Sequence, residues 1–178
     1  MANIVAFGRA AELALASLED ENTRVRGLRD RLENHILKHI PNTIRNGAKE
    51  PRLPNTANIA FDFVEAEAVL MLLDQVGICC SSGSACTTGS LDPSHVLSAM
   101  GVTPMRARGS VRFSLGIYNT DEDVDYLLKH LPPIIQKLRD ISPLNPEHPD
   151  NDKYDIAGAR AKHEQELAIA KDQEAVPA

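Results

Sequence analysis

Ser110-Val111-Arg112-Phe113-Ser114-Leu115 is the stretch on which the fold of this chain turns. Val111, Phe113 and Leu115 alternate with Arg112 and Ser114, the two-residue period of a strand with one apolar face. Arg112 therefore belongs to the face opposite the apolar set. A second run, Asn58-Ile59-Ala60-Phe61-Asp62-Phe63-Val64, alternates Ile59, Phe61 and Phe63 against Ala60 and Asp62 in the same way. Thr43 to Arg45 fits a third, short strand, followed by the turn signal Asn46-Gly47 and the rigid connector Pro51 to Pro54.

Between and around these strands the period changes to that of helices. Ala66, Val69, Leu70, Leu73 and Val76 predict a helix over Glu65 to Val76, closed by Gly77. Asp92-Pro93 predicts a helix start, Asp as N-cap and Pro in the first turn, with its end near Met100-Gly101. Ile78 to Cys80 suits a short strand, and Thr103 to Gly109 reads as a basic loop. Beyond the Arg112 strand, Asn119-Thr120 caps a helix with the acidic first turn Asp121-Glu122-Asp123 and the apolar face Val124, Leu127, Leu128 and Leu131. Pro132-Pro133 should kink or split it. Upstream, Phe7 to Ile40 reads as one long helix or two stacked ones, with Val25, Leu28, Leu32 and Ile36 in register and Gly27 a place for a kink. From Pro143 onward the composition turns polar, with a weak helix at most over Asp155 to Lys171.

A helical entry followed by alternating strands and helices specifies a small α/β (α+β) unit. The 178 residues suffice for one ordinary core, and 4% aromatics with no Trp make that core aliphatic. A formal charge of -6 and a pI near 5.5 argue against a nucleic-acid or anionic-membrane surface. No stretch approaches the roughly 18 apolar residues of a membrane span, and no basic segment precedes an apolar one at the start. Three cysteines, two of them adjacent, fit a reducing cytoplasm rather than a disulfide framework.

The chemistry concentrates in Cys80-Ser81-Ser82-Gly83-Ser84-Ala85-Cys86. A thiol on a Ser/Gly loop can reach a substrate and then a second protein, a travel that a core cysteine lacks. On these residues alone three readings of Cys86 stand: a nucleophile or redox thiol, an idle loop thiol, or a metal ligand with Cys79, Cys80 and His95. A Cys80–Cys86 disulfide would be an oxidative side product. Arg112 offers a planar fork suited to a substrate carboxylate, or an ion pair with an acid across the sheet. His95 reads as a helix-surface residue, and His35, His39, His130, His148 and His163 as solvated. Arg106 and Arg108 read as surface charge.

The run from Gly77 to Leu91, then Pro93-Ser94-His95-Val96-Leu97 and Val111-Arg112-Phe113-Ser114-Leu115-Gly116, resembles the C-terminal part of pyridoxal-phosphate-dependent cysteine desulfurases. The likeness is to the nitrogen-fixation (NifS) branch and its iron–sulfur-assembly relatives, within the class-V aminotransferase superfamily. It implies the C-terminal domain of a fold-type I pyridoxal-phosphate enzyme with a long N-terminal bridging helix. It implies residues 1–40 as that helix, 41–142 as the small domain with its cysteine loop, and 143–178 as a polar tail. It implies Cys86 as the catalytic nucleophile that takes sulfur from L-cysteine, leaves L-alanine and carries a persulfide to an iron–sulfur scaffold protein, where Cys86 contacts iron in passing. Arg112 falls on the arginine that holds the substrate carboxylate. Cys80 falls where a small residue would serve.

The seven lysines are Lys38, Lys49, Lys129, Lys137, Lys153, Lys162 and Lys171, and none has the loop setting of the family's cofactor lysine. No cofactor-binding residue is therefore assigned, and pyridoxal 5'-phosphate is not expected to bind this chain covalently. Members of the family are roughly twice as long, so a fragment, a remnant or a separate half that pairs with an N-terminal partner or a second copy are all open. A cofactor-free persulfide relay that binds the scaffold is the alternative function.

Overall fold

The computed structural model describes residues 1–82 and 94–145. Its helices are α1 (Ala2–Asp20), α2 (Arg26–His39), α3 (Ala66–Asp74), α4 (His95–Ala99), α5 (Pro104–Arg108) and α6 (Asp121–Asp140). Its strands are β1 (Thr43–Arg45), β2 (Thr56–Phe61) and β3 (Ser110–Ser114), antiparallel and ordered β1-β2-β3.

α1 and α2 form one rod joined by a π-helical turn at Glu21–Val25. The irregularity expected at Gly27 lies here instead. Asn22 Nδ2 and Thr23 Oγ1 donate to the carbonyls of Leu18 and Glu19 at 2.8 and 2.7 Å, occupying acceptors around the wider turn. The two halves differ in packing. α2 buries Leu28, Leu32 and Ile36, whereas α1 buries nothing and leaves Ile4, Phe7, Leu15 and Leu18 exposed.

The core lies between α2, α3 and α6 and one face of the sheet, a two-layer α+β arrangement. Ile59, Phe61, Val111 and Phe113 come from the sheet; Val69, Leu73, Val124, Leu127, Leu131 and Ile135 come from the helices. A polar cluster fastens the β1–β2 connection to α2. Glu33, 2% exposed, accepts from Arg52 Nη1 and Nη2 at 2.7 Å each, and Arg29 Nη1 donates to the Leu53 carbonyl at 3.0 Å. At the other end, buried Arg139 donates from Nε to the Asp62 carbonyl and from Nη2 to the Asn42 carbonyl, both at 3.0 Å. It thereby pins the end of α6 to both sheet turns.

Several local expectations change. β2 starts at Thr56 and stops at Phe61, because Phe63 adopts φ 68° and leaves the extended region. Ala60 is buried as well as Ile59, since α5 packs on β2 from the outer side. The expected basic loop at 103–109 contains that helix, with Pro104 in its first turn and Arg106 and Arg108 in its last. Ile78 to Cys80 forms no strand; only Ser81 bridges β3. Pro132 and Pro133 do not split α6. The buried face Val124-Leu127-Leu131-Ile135 runs unbroken past them, while Pro133 itself is exposed, where water can satisfy a carbonyl freed by proline. The expected cap at Asp92 and first-turn Pro93, and the weak helix over 155–171, lie outside the described residues; α4 begins after Ser94, and Gly101 (φ 78°) follows it.

The acidic N-terminus of α6 is as expected. Thr120 and Asp123 form a capping box, with Thr120 N donating to Asp123 Oδ2 at 3.0 Å. Arg31 of α2 pairs with Asp121 and Asp125, and Arg24 donates to the carbonyls of Ile117 and Asn119, so the rod and α6 are tied where α6 begins.

Gly109 is the tightest point in the sheet: a Cβ there would lie 2.4 Å from the Phe61 carbonyl oxygen and 3.0 Å from that of Val64. Gly27, by contrast, has nothing within 4 Å. Gly109→Ala should therefore lower unfolding stability by about 2 kcal/mol or more. Gly27→Ala should raise it by about 0.5–1 kcal/mol, as read by urea denaturation.

Candidate active site

The register of β2 on β3 places the site. Asn58 pairs with Arg112, Thr56 with Ser114, and Ala60 with Ser110. Directly opposed residues in an antiparallel pair share a face, so Thr56, Asn58, Ser110, Arg112 and Ser114 line the outer, polar face. On the far edge of β3, Ser81 and Arg112 exchange both backbone bonds, Arg112 N to Ser81 O at 2.6 Å and Ser81 N to Arg112 O at 3.2 Å. Ser81, where the serine-rich segment begins, thus lies directly beside Arg112.

The Arg112 side chain is exposed and, among the described residues, makes no ion pair and no side-chain hydrogen bond. The acid-across-the-sheet alternative fails, because its cross-strand neighbour is Asn58. Asn58 is itself held: Asn46 Nδ2 donates to Asn58 Oδ1 at 2.7 Å and to Ser110 Oγ at 2.8 Å, and Ser110 Oγ donates to the Arg106 carbonyl at 2.7 Å. Ser110 is fully buried. This chain of polar contacts floors the outer face beneath a free guanidinium, an arrangement suited to a planar anion such as a carboxylate. Sequence reading missed Asn46, Asn58 and Ser110. Asn46 looked like turn punctuation, and its pairing with Ser110 spans 64 positions.

Arg106 differs from the solvated charge expected of it. Its Nε and Nη2 are shut from solvent and have no hydrogen-bond partner among the described residues. Cys86 lies outside the described residues, and with it the expected nucleophile, the Cys80–Cys86 disulfide and the Cys86-containing metal set. Among the described residues no group of three or more His, Cys, Asp or Glu is placed to hold a metal. His95 opens α4 and is exposed, and no described helix is long and apolar enough to cross a membrane.

The adjacent thiols Cys79 and Cys80 are free and differ sharply. Cys80 packs against the core with Ile78 and Leu115, and burial pushes its thiol up to about 11, with Cys79 adding to the shift. Cys79 is exposed, on a groove that also takes in Ser114, Asn119 and Asp123.

Residues 1–127 match the aminotransferase class-V family. This chain belongs to that family. Class-V members similar to it include the cysteine desulfurase of Azotobacter chroococcum mcd 1, 54% identical over 142 residues that cover 80% of this chain and 36% of the relative. The cysteine desulfurase NifS of Azotobacter vinelandii is 53% identical over 142 residues, covering 80% and 35%. The chain thus spans about a third of the length of the curated relatives it matches. Among solved structures, a NifS-like protein superposes with a TM-score of 0.62 at 32% identity, covering 72% of this chain and 32% of that one. The NifS-like protein from Rickettsia africae ESF-5 gives 0.63 at 31%, covering 73% and 33%. The fold-type I, α/β expectation holds.

Pyridoxal phosphate, which this family implies for its full-length members, finds no fitting residue set among the described residues. The described lysines, Lys38, Lys49, Lys129 and Lys137, are all exposed. Lys38, Lys129 and Lys137 ride on α2 and α6, which pack on the sheet face away from Arg112.

With its thiol at about 11, Cys80 should be about a thousandth thiolate at pH 8. Iodoacetamide at pH 8 should therefore label Cys79 well before Cys80 in the native chain, as resolved by tandem mass spectrometry. Equal rates would contradict the burial of Cys80.

Proposed function

We propose that this chain carries the carboxylate-binding and sulfur-accepting groups of a cysteine desulfurase. L-cysteine is the substrate, L-alanine the product, and a persulfide on Cys86 the carried sulfur. The observation that carries the reading is Arg112: an exposed guanidinium, free of ion pairs among the described residues, on the polar face of the sheet and backbone-bridged to Ser81. Arg112 clamps the substrate carboxylate through its two-pronged fork, which fixes where the substrate sulfur lies. Cys86 follows Ser81 by five residues, and five residues of chain span at most about 18 Å, so its thiolate works within reach of that clamp. The thiolate attacks the sulfur of the bound amino acid, so that the S–S bond of the persulfide forms as the substrate's Cβ–S bond breaks. The electron pair of that bond stays with carbon, which takes up a proton to become the methyl group of alanine, and pyridoxal phosphate in a full-length enzyme would supply the electron sink. The identities above 50% to two named cysteine desulfurases support the same assignment.

The finer features follow from this reading. An iron–sulfur scaffold protein takes the sulfur and brings Cys86 briefly against iron, and the similarity to NifS points to nitrogen fixation as the setting. Free thiols at Cys79 and Cys80 suit the cytoplasm. Residues 1–40 act as the bridging helix: the family match includes α1, and α1 buries nothing against the described residues. Residues 41–142 form the small domain and 143–178 its tail. The cofactor-free relay draws support from the exposed lysines, and the two readings separate on whether alanine is formed.

Two experiments test this. The isolated chain mixed with pyridoxal phosphate and L-cysteine should show no 420-nm absorbance and form no alanine. A chimaera in which the chain replaces the matching third of the Azotobacter vinelandii relative should form alanine and sulfide. In that chimaera Cys86→Ala should abolish sulfide release, and Arg112→Lys should raise KM for cysteine about tenfold or more. Sulfide release that survives Cys86→Ala would overturn the assignment of the nucleophile. A chimaera that takes up persulfide on Cys86 but never forms alanine would favour the relay.

A further inference from the structure

His35 and His39 are the one pair of histidines that α2 places one helical turn apart, in His35-Ile36-Leu37-Lys38-His39. Residues four apart share a face, the spacing by which two imidazoles of one helix grip a single ion. Their ring centroids are 4.0 Å apart and tilted by 31°. The two imidazoles therefore lie side by side on one face, near enough for side-chain rotation to bring one nitrogen of each to a single ion at about 2.0–2.1 Å.

The protonation pattern is also prepared. His39 Nδ1 lies 2.9 Å from the carbonyl oxygen of His35. A carbonyl only accepts, so Nδ1 carries the proton and Nε2 keeps a lone pair for a metal. A backbone carbonyl on the second ring nitrogen is the usual way a metal-binding histidine is oriented.

The charges nearby permit a cation. Arg31 is engaged by Asp121 and Asp125 of α6, leaving Lys38 as the uncompensated like charge. The C-terminal end of α2, where His39 sits, contributes carbonyl dipoles that favour a positive ion.

We infer that His35 and His39 form a two-imidazole chelate for a divalent transition-metal ion of the nickel–zinc class, with water completing its coordination. Imidazole nitrogen selects these ions over magnesium or calcium, which take oxygen ligands. With two protein ligands and no third carboxylate or thiol in place among the described residues, the ion is exchangeable. It staples the last turn of α2 from outside, on elements separate from the Arg112 face.

The test uses the untagged, full 178-residue chain with its thiols alkylated, titrated with NiCl2 in magnesium-containing buffer by calorimetry. One Ni2+ per chain should bind. His35→Ala and His39→Ala should each weaken binding about tenfold or more, since either leaves a single imidazole. His130→Ala should bind as the unmodified sequence does. Saturating Ni2+ should raise the thermal midpoint of the parent chain but not of either variant. Far-UV circular dichroism of the variants establishes that α2 is intact. Absence of saturable Ni2+ binding, or binding that survives both substitutions unchanged, would overturn the chelate.

Discussion

The close approach at Gly109 fixes what this structure can do. Phe61 N donates to the Gly109 carbonyl at 2.9 Å, and a side chain at 109 would drive into the carbonyls of Phe61 and Val64. That contact sets where β3 begins against β2. A strand repeats every two residues, so a slip of one position would turn Val111 and Phe113 to the solvent and Arg112 into the core. The cost of burying an unpaired guanidinium and exposing two large apolar groups makes the alternative register untenable. One missing Cβ thus decides which side of the sheet is oil and which is chemistry.

The two faces then divide the work. The inner face is almost wholly aliphatic, with Phe61 and Phe113 as its aromatic members; of the buried charges, Arg29 and Arg139 are tied to backbone carbonyls and Glu33 to Arg52. The outer face is polar from Asn46 through Ser110 to Arg112. The adjacent thiols follow the same division. Cys80 packs on the core and its thiol is pushed up by burial, while Cys79 is exposed, so neighbours in sequence differ in reactivity because they differ in burial.

Much of this was legible in the chain. The alternations at 58–61 and 110–114 and the period of α2 and α6 follow from burial of one face, and burial is what periodicity records. The Thr120 capping box was equally readable, since its partners are three residues apart. Arg112 stood out because a charge in a strand must face outward. What escaped reading was either non-local or conformational. The Asn46–Ser110 contact joins distant positions, and the helix at 104–108 forms because it caps the outer end of β2, a tertiary reason. Pro132 and Pro133 misled because their steric rule is local, whereas the buried stripe that carries α6 past them is not. Phe63 left its strand through a positive φ that no alternation pattern announces.

The rod formed by α1 and α2 carries a thermodynamic consequence. A lone helix of 19 residues is marginal in water because its first turn is costly to nucleate. α1 buries no residue, so among the described residues no part of the core covers its amide protons, and they exchange by local fraying. Those of α2 wait for the core to open. Yet α2 supplies α1 with a finished turn to grow from, through Val25, which is fully buried at the end of the π turn. α1 therefore winds by propagation alone, and a surface that meets its apolar stripe need supply none of the free energy of nucleation.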